Sequence, residues 1–123
     1  MEFRNDQRII GDTLIPIGAT LEIDGAAYDL TAYDQIDFRL VHDDGEVVID
    51  WTAAAFVTKA SGTVQYDLTT ANDTAIETKV DNTGVGTFWA WFRVGTGSEY
   101  QTFPVQHVDG RARGWRLAFR EPA

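Results

Sequence analysis

Apolar and polar residues alternate in short runs along most of this chain, and Gly or Asp interrupts the runs at intervals of roughly eight to twelve residues. QIDFRLVH (35–42) sets Ile36, Phe38 and Leu40 against Asp37 and Arg39, and TVQYDLT (63–69) sets Val64, Tyr66 and Leu68 against Gln65 and Asp67. A period of two belongs to strands, because successive strand side chains point to opposite faces, whereas a helix repeats every 3.6 residues. No long stretch carries the helical period. The pattern therefore predicts an all-β fold, an antiparallel sandwich or barrel.

The turn residues divide the strands. Asp24-Gly25 closes the first apolar segment, and DDGE (43–46) predicts a tight type I′ hairpin between QIDFRLVH and EVVIDW, whose Val47, Ile49 and Trp51 should share a face. Further strands are expected at about 86–95, at 99–106 after Gly-Thr-Gly-Ser, and in GWRLAFR after the turn VDGR. TANDTAIETKVDNTG (70–84) is the exception, a short helical turn near 72–79 capped by Asn72 or Asp73 and closed by Asn82 to Gly84.

With 123 residues, 44% of them hydrophobic, the chain suffices for one domain with its own core, and residues 11–123 are assigned to it. Residues 1–10 are polar and read as an extended arm that orders on assembly. That segment, MEFRNDQRII, has no apolar stretch of a secretory leader, and no run of 18 apolar residues occurs, so neither an exported precursor nor a membrane span is expected. Cysteine is absent, which excludes disulfides, thiolate metal sites and thiol nucleophiles.

The formal net charge is −9, and it is unevenly placed: residues 1–110 carry 18 acids against 6 bases, and 111–123 carry 4 arginines against 1 glutamate. An acidic body of this kind disfavours the phosphate backbone of nucleic acid. RARGWRLAFR reads as a last strand with solvated arginines, the other readings being an acidic neighbour or a nucleic-acid contact. Thirteen Asp to 6 Glu and 8 Arg to 2 Lys suit a halophilic origin, with a GC-rich genome as the plain alternative.

The residues that carry chemistry are sparse. His42, Asp43, Asp44 and Glu46 lack the Asp-x-Asp-x-Asp-Gly order of a calcium loop and read as a hairpin tip. Ser61 and Ser98 stand beside glycines in turns, outside any nucleophile-elbow context, and His107 reads as a loop histidine. Nothing marks a pair among the 19 acids as the two carboxylates of a glycosidase. No catalytic residue, metal or cofactor is assigned.

Aromatic residues are more informative. In GTFWAWFRV (86–94), Phe88, Ala90, Phe92 and Val94 share one strand face, while Trp89, Trp91 and Arg93 share the other. Tyr100, on the following strand, should lie beside them. Trp, Tyr and Arg dominate interface hot spots, so Trp89, Trp91, Arg93, Tyr100, Arg113 and Arg116 are the candidate contact residues. The alternatives are an indole roofed within the chain, a second subunit, or a carbohydrate ring stacked on the tryptophans.

The order of these elements resembles the N-terminal domain family of phage baseplate upper proteins and similar immunoglobulin-like virion domains. The resemblance is carried by GDT (11–13), DGAAYDLT (24–31), IDFRLV (36–41), DGEVVIDW (44–51), SGTVQYDLT (61–69), NDT (72–74), GTFWAWFRV (86–94) and QTFP (101–104). It implies an immunoglobulin-like antiparallel β-sandwich and a non-enzymatic structural protein of a tailed virus, made in the host cytoplasm and built into the virion at the tail, baseplate or capsid surface. The implied partners are other virion proteins and copies of the chain itself, with no nucleic acid and no membrane. The chain departs from the family by ending after the domain, which favours a small connector or decoration subunit over a receptor-binding one. The resemblance also puts Phe88, Ala90 and Phe92 in the core with Phe38, Leu40, Ile49, Trp51, Val64, Tyr66, Leu68, Trp115, Leu117 and Phe119. A carbohydrate-binding module remains the alternative function.

Overall fold

The alternation read along the chain becomes two antiparallel sheets facing each other across an aromatic core. The computed structural model describes residues 16–80, 82–104 and 114–120, and the backbone of 7–9, 107–108 and 111–112. In chain order the strands are β1 (Gln7–Ile9), β2 (Ile17–Thr20), β3 (Glu22–Ile23), β4 (Ala26–Ala27), β5 (Gln35–His42), β6 (Val47–Ala53), β7 (Ala55–Thr58), β8 (Thr63–Tyr66), β9 (Val85–Thr96), β10 (Glu99–Phe103), β11 (His107–Val108), β12 (Arg111–Ala112) and β13 (Trp115–Arg120). An α-helix, α1 (Thr70–Glu77), joins β8 to β9.

The larger sheet has the order β1-β13-β9-β5-β6, with β10 also paired to β9, and the smaller has the order β2-β8-β7. Strand β9 is the centre of the larger sheet. It pairs with β5 along one edge, and along the other first with β13 (at 85–90) and then with β10 (at 92–96). β10 and β13 are thus one return strand interrupted by residues 104–114, where β11 and β12 pair with each other. β1, inside the segment expected as an arm, runs parallel to β13.

Buried and half-buried residues alternate along β9 from Val85 to Val94. Phe88, Ala90, Phe92 and Val94 are fully buried, and they meet Ile17, Ala19, Leu21, Val64 and Tyr66 of the opposite layer. Tyr66 bridges the layers by stacking on Phe38, with ring centroids 4.5 Å apart and planes at 12°. Each fully buried side chain of this size contributes about 1.5–3 kcal/mol through removal from water.

Three local expectations change in the structure. The helix is capped three to four residues earlier than expected, at the N-cap Thr69: its Oγ1 accepts from Asn72 N at 3.1 Å while Asn72 Oδ1 accepts from Thr69 N at 3.0 Å. Asn72 is therefore the reciprocal partner in a capping box, and its Oδ1 also accepts from the Tyr66 hydroxyl at 2.6 Å. The 43–46 hairpin is not a two-residue type I′ turn. Gly45 N donates to His42 O and His42 N to Glu46 O, each at 2.8 Å, and only Gly45 has positive φ, +95°, as in a three-residue loop closed by a glycine bulge. Asp24 and Gly25, with φ of 55° and 80°, instead form the two-residue turn with both central φ angles positive, between β3 and β4.

The third change concerns Trp51, which leaves the expected core. Leu40 pairs with Ile49 and Phe38 with Thr52, so Asp50 and Trp51 together stand opposite Arg39 alone. Such a bulge reverses the alternation of a strand. Ile49 stays inside, and Trp51 turns to the outer face. The other expected core residues, Phe38, Leu40, Ile49, Val64, Tyr66, Leu68, Trp115, Leu117 and Phe119, are all buried.

Candidate functional site: an arginine and aromatic face

The outer face of the larger sheet is built around the odd-numbered residues of β9. Thr87, Trp89, Trp91 and Arg93 run along its middle, with Val41, Arg39 and Asp37 of β5 directly opposite the last three. On the other side, Arg116 of β13 lies opposite Trp89, and Thr102 of β10 lies opposite Arg93. Trp91 sits where β13 gives way to β10. Gly114 makes room for its indole there: a Cβ on Gly114 would lie 2.9 Å from Trp91 Cε2 and 2.5 Å from the Ala90 carbonyl oxygen.

Arg93 is the centre of a stack. Its guanidinium carbon lies 4.5 Å from the Trp51 ring centroid and 4.2 Å from that of Tyr100, and its Nε donates to Asp37 Oδ2 at 3.0 Å. Arg39 extends the row, 5.8 Å from the Trp51 ring, with its Nε 3.7 Å from Asp50 Oδ1. Planar guanidinium groups suit this arrangement, because they stack on an aromatic face while their edges stay available for hydrogen bonds. The row Arg39, Trp51, Arg93, Tyr100 ends at the solvent, with Tyr100 49% exposed.

At the other end of the face the β5–β6 turn folds back on β9. Asp43 N donates to Thr87 O at 3.0 Å, and the Trp89 Nε1–H donates to Asp43 Oδ1 at 3.1 Å. Beside it, Lys79 Nζ donates to Glu46 Oε2 and lies 3.5 Å from Asp44 Oδ2, while His42 Nδ1 is 2.9 Å from Asp44 Oδ1. The hydrogen bond to Glu46 raises the Lys79 ammonium pKa, and the Glu46 backbone N–H, helped by His42, lowers that of Asp44 to about 2. His42, Asp43, Asp44 and Lys79 line an open cleft of about 570 Å³. Among the described residues no group of three His, Cys, Asp or Glu is placed to hold a metal ion. Among them, too, no helix is long and apolar enough to cross a membrane.

The fold thus brings Trp89, Trp91, Arg93, Tyr100 and Arg116 of the expected contact set onto or beside one sheet face. Arg113 lies outside the described residues. Trp51, Arg39 and Asp37 were missed as members. Arg39 and Asp37 could have been found from the phase of QIDFRLVH, which sets them opposite the buried Phe38. Trp51 carried no such signal, since strict alternation put it inside.

No family model and no curated protein matches this chain. Among solved structures, it is similar to the N-terminal domain of phage TP901-1 ORF48, with a TM-score of 0.52 over 95% of this chain and 83% of that one, at 14% identity. That likeness shows a shared all-β fold with a domain of a phage protein.

Proposed function

We propose that this chain is a non-enzymatic structural protein of a tailed-virus particle, a tail, baseplate or capsid-surface subunit that joins other virion proteins through the outer face of its larger sheet. The observation that carries the reading is the outward stack of Arg39, Trp51, Arg93 and Tyr100, continued by Trp89 and Trp91. Large aromatic and arginine side chains already held in place lose little conformational freedom on binding, which is what a protein contact surface needs. The fold shared with a domain of a phage protein supports the particle. An immunoglobulin-type sandwich is supported by strand order, because β13-β9-β5-β6 and β2-β8-β7 follow the G-F-C-C′ and B-E-D orders of that architecture.

A carbohydrate ring has less room at Trp51 and Tyr100, since the Arg93 guanidinium already occupies a face of each. Mass spectrometry and cryo-EM of purified particles test the proposal. The chain is expected in the particle with Trp89 and Trp91 covered by another subunit. Its absence from particles, together with a specific hit on a glycan array, would overturn the proposal.

A further inference from the structure

The chain has Asp-Gly dipeptides at 24–25, 44–45 and 109–110, of which the last lies outside the described residues. Asp-Gly is prone to backbone rearrangement, because the glycine nitrogen can close a five-membered ring on the preceding side-chain carboxyl and no Cβ stands in its way. Ring closure needs a free carboxyl, a free glycine N–H and a backbone that can turn between them. At 44–45 these are held. Asp44 Oδ1 accepts from Glu46 N at 2.9 Å and lies 2.9 Å from His42 Nδ1, Oδ2 lies 3.5 Å from Lys79 Nζ, and Gly45 N donates to His42 O at 2.8 Å. The Asp44 carboxyl also stays ionised down to about pH 2, so the neutral form that gives up a hydroxyl is scarce.

At 24–25 the same groups are loose. No hydrogen bond or ion pair to another described residue holds the Asp24 carboxyl. Residues 24–27 are all exposed, and a Cβ on Gly25 would meet nothing within 4 Å. The Gly25 N–H, at the second central position of its turn, stands outside the β3–β4 ladder, which is only two pairs long, Glu22 with Ala27 and Ile23 with Ala26. The base of the hairpin is pinned separately, since Leu21 N donates to Gly62 O and Tyr28 N to Leu21 O, each at 2.8 Å. Ile23 is the one apolar residue of 22–27 packed against the core. The tip can therefore open without unfolding the sandwich below it.

We infer that Asp24-Gly25 is a self-modifying site, which passes through a succinimide to isoaspartate while Asp44-Gly45 of the same molecule is protected. Gly25 N attacks Asp24 Cγ; the N–Cγ bond forms as a Cγ–O bond breaks, and the amide hydrogen leaves with the hydroxyl as water. Water then opens the ring. Attack at Cγ restores aspartate, whereas attack at the Asp24 backbone carbonyl breaks its bond to Gly25 N and leaves the chain running through the side chain, one methylene longer and with its carboxylate moved. A link of that length cannot keep the two-residue turn, so the β3–β4 pairing is lost while the two packed sheets remain. The inference rests on the geometry of the two turns and holds whether or not the chain serves in a particle.

Prolonged incubation of the full chain at mildly acidic pH, followed by trypsin digestion and electron-transfer fragmentation, tests this. Cleavage at arginine and lysine puts the two turns in different peptides, 9–39 and 40–59, and the fragmentation tells isoaspartate from aspartate at unchanged mass. Releasing one charge-assisted hydrogen bond of the kind that holds Asp44 lowers the reactive population about tenfold or more, so isoaspartate is expected at residue 24 at least about ten times faster than at residue 44. A parallel incubation in denaturant should bring the two rates together, and circular dichroism of the aged chain should show the β-structure of the sandwich retained. Equal rates at the two positions in the folded chain would overturn the inference. So would a difference that persists undiminished in denaturant, since sequence context and not the fold would then be its source, or the absence of isoaspartate at 24 in a folded chain whose denatured counterpart accumulates it.

Discussion

Replacing Trp51 by Ala discriminates between the two places this residue can occupy. In the core, as strict alternation demands, loss of a Trp costs about 3–5 kcal/mol. On the outer face the loss is that of two cation–π contacts, to Arg93 at 4.5 Å and Arg39 at 5.8 Å. Each is worth about 0.5–1 kcal/mol at a partly exposed site, so the structure predicts about 1–2 kcal/mol in total. For a chain of this length that is a fall in Tm of roughly 4–8 °C in a calorimetric scan. Adding Arg93→Ala alone and in combination completes a double-mutant cycle, and the Trp51–Arg93 coupling should come out near 0.5–1 kcal/mol. The Asp37–Arg93 ion pair, with side chains 22% and 26% exposed, is retained in Trp51→Ala and adds little. A loss of 3 kcal/mol or more for Trp51→Ala, or strict additivity in the cycle, would refute the outward placement of Trp51 and with it the stack on which the proposed contact surface rests.

Other outcomes follow from the same geometry. Gly62 and Gly97 have nearly equal positive φ, +70° and +76°, but a Cβ on Gly62 would lie 2.7 Å from the Tyr28 carbonyl oxygen and 2.9 Å from that of Leu21, whereas one on Gly97 meets nothing within 4 Å. Alanine should therefore cost about 1–2 kcal/mol at Gly97 from left-handed strain alone, and about 1–3 kcal/mol more at Gly62 from the backbone clash; equal losses in denaturant melts would rule out the clash. The carboxyl of Asp44, lowered from 3.8 to about 2 by the Glu46 N–H and His42, should titrate near pH 2 by NMR. Because its folded-state pKa is depressed, its contribution to stability is present above pH 3.8 and withdrawn as the pH falls towards 2, and a midpoint at 3.8 would contradict the hydrogen bonding seen at the turn. A halophilic origin, suited by 13 Asp and only 2 Lys, predicts loss of the cooperative unfolding transition on dialysis to low salt, and a transition that persists there refutes it.

Period-two alternation, read with Gly and Asp turns, was enough to determine β5, β6, β8, β9, β10 and β13, the all-β class and the inner face of β9, because burial of Phe88, Phe92 and Val94 on one face needs only local periodicity. It also placed Trp89, Trp91 and Arg93 together on the opposite face. A hairpin's turn type is not decided by Asp-Gly alone: the same dipeptide takes two positive φ angles at 24–25 and one at 44–45, where the loop also accommodates Asp43 against β9. Tertiary structure alone decided the fate of Trp51. Its side of the sheet depends on where two strands slip register, and that is settled by how β6 packs across β5 rather than by any residue near it in sequence. The assembly of Arg39, Trp51, Arg93 and Tyr100 into one stack joins four strands, β5, β6, β9 and β10, whose adjacency is a property of sheet order and has no local signature.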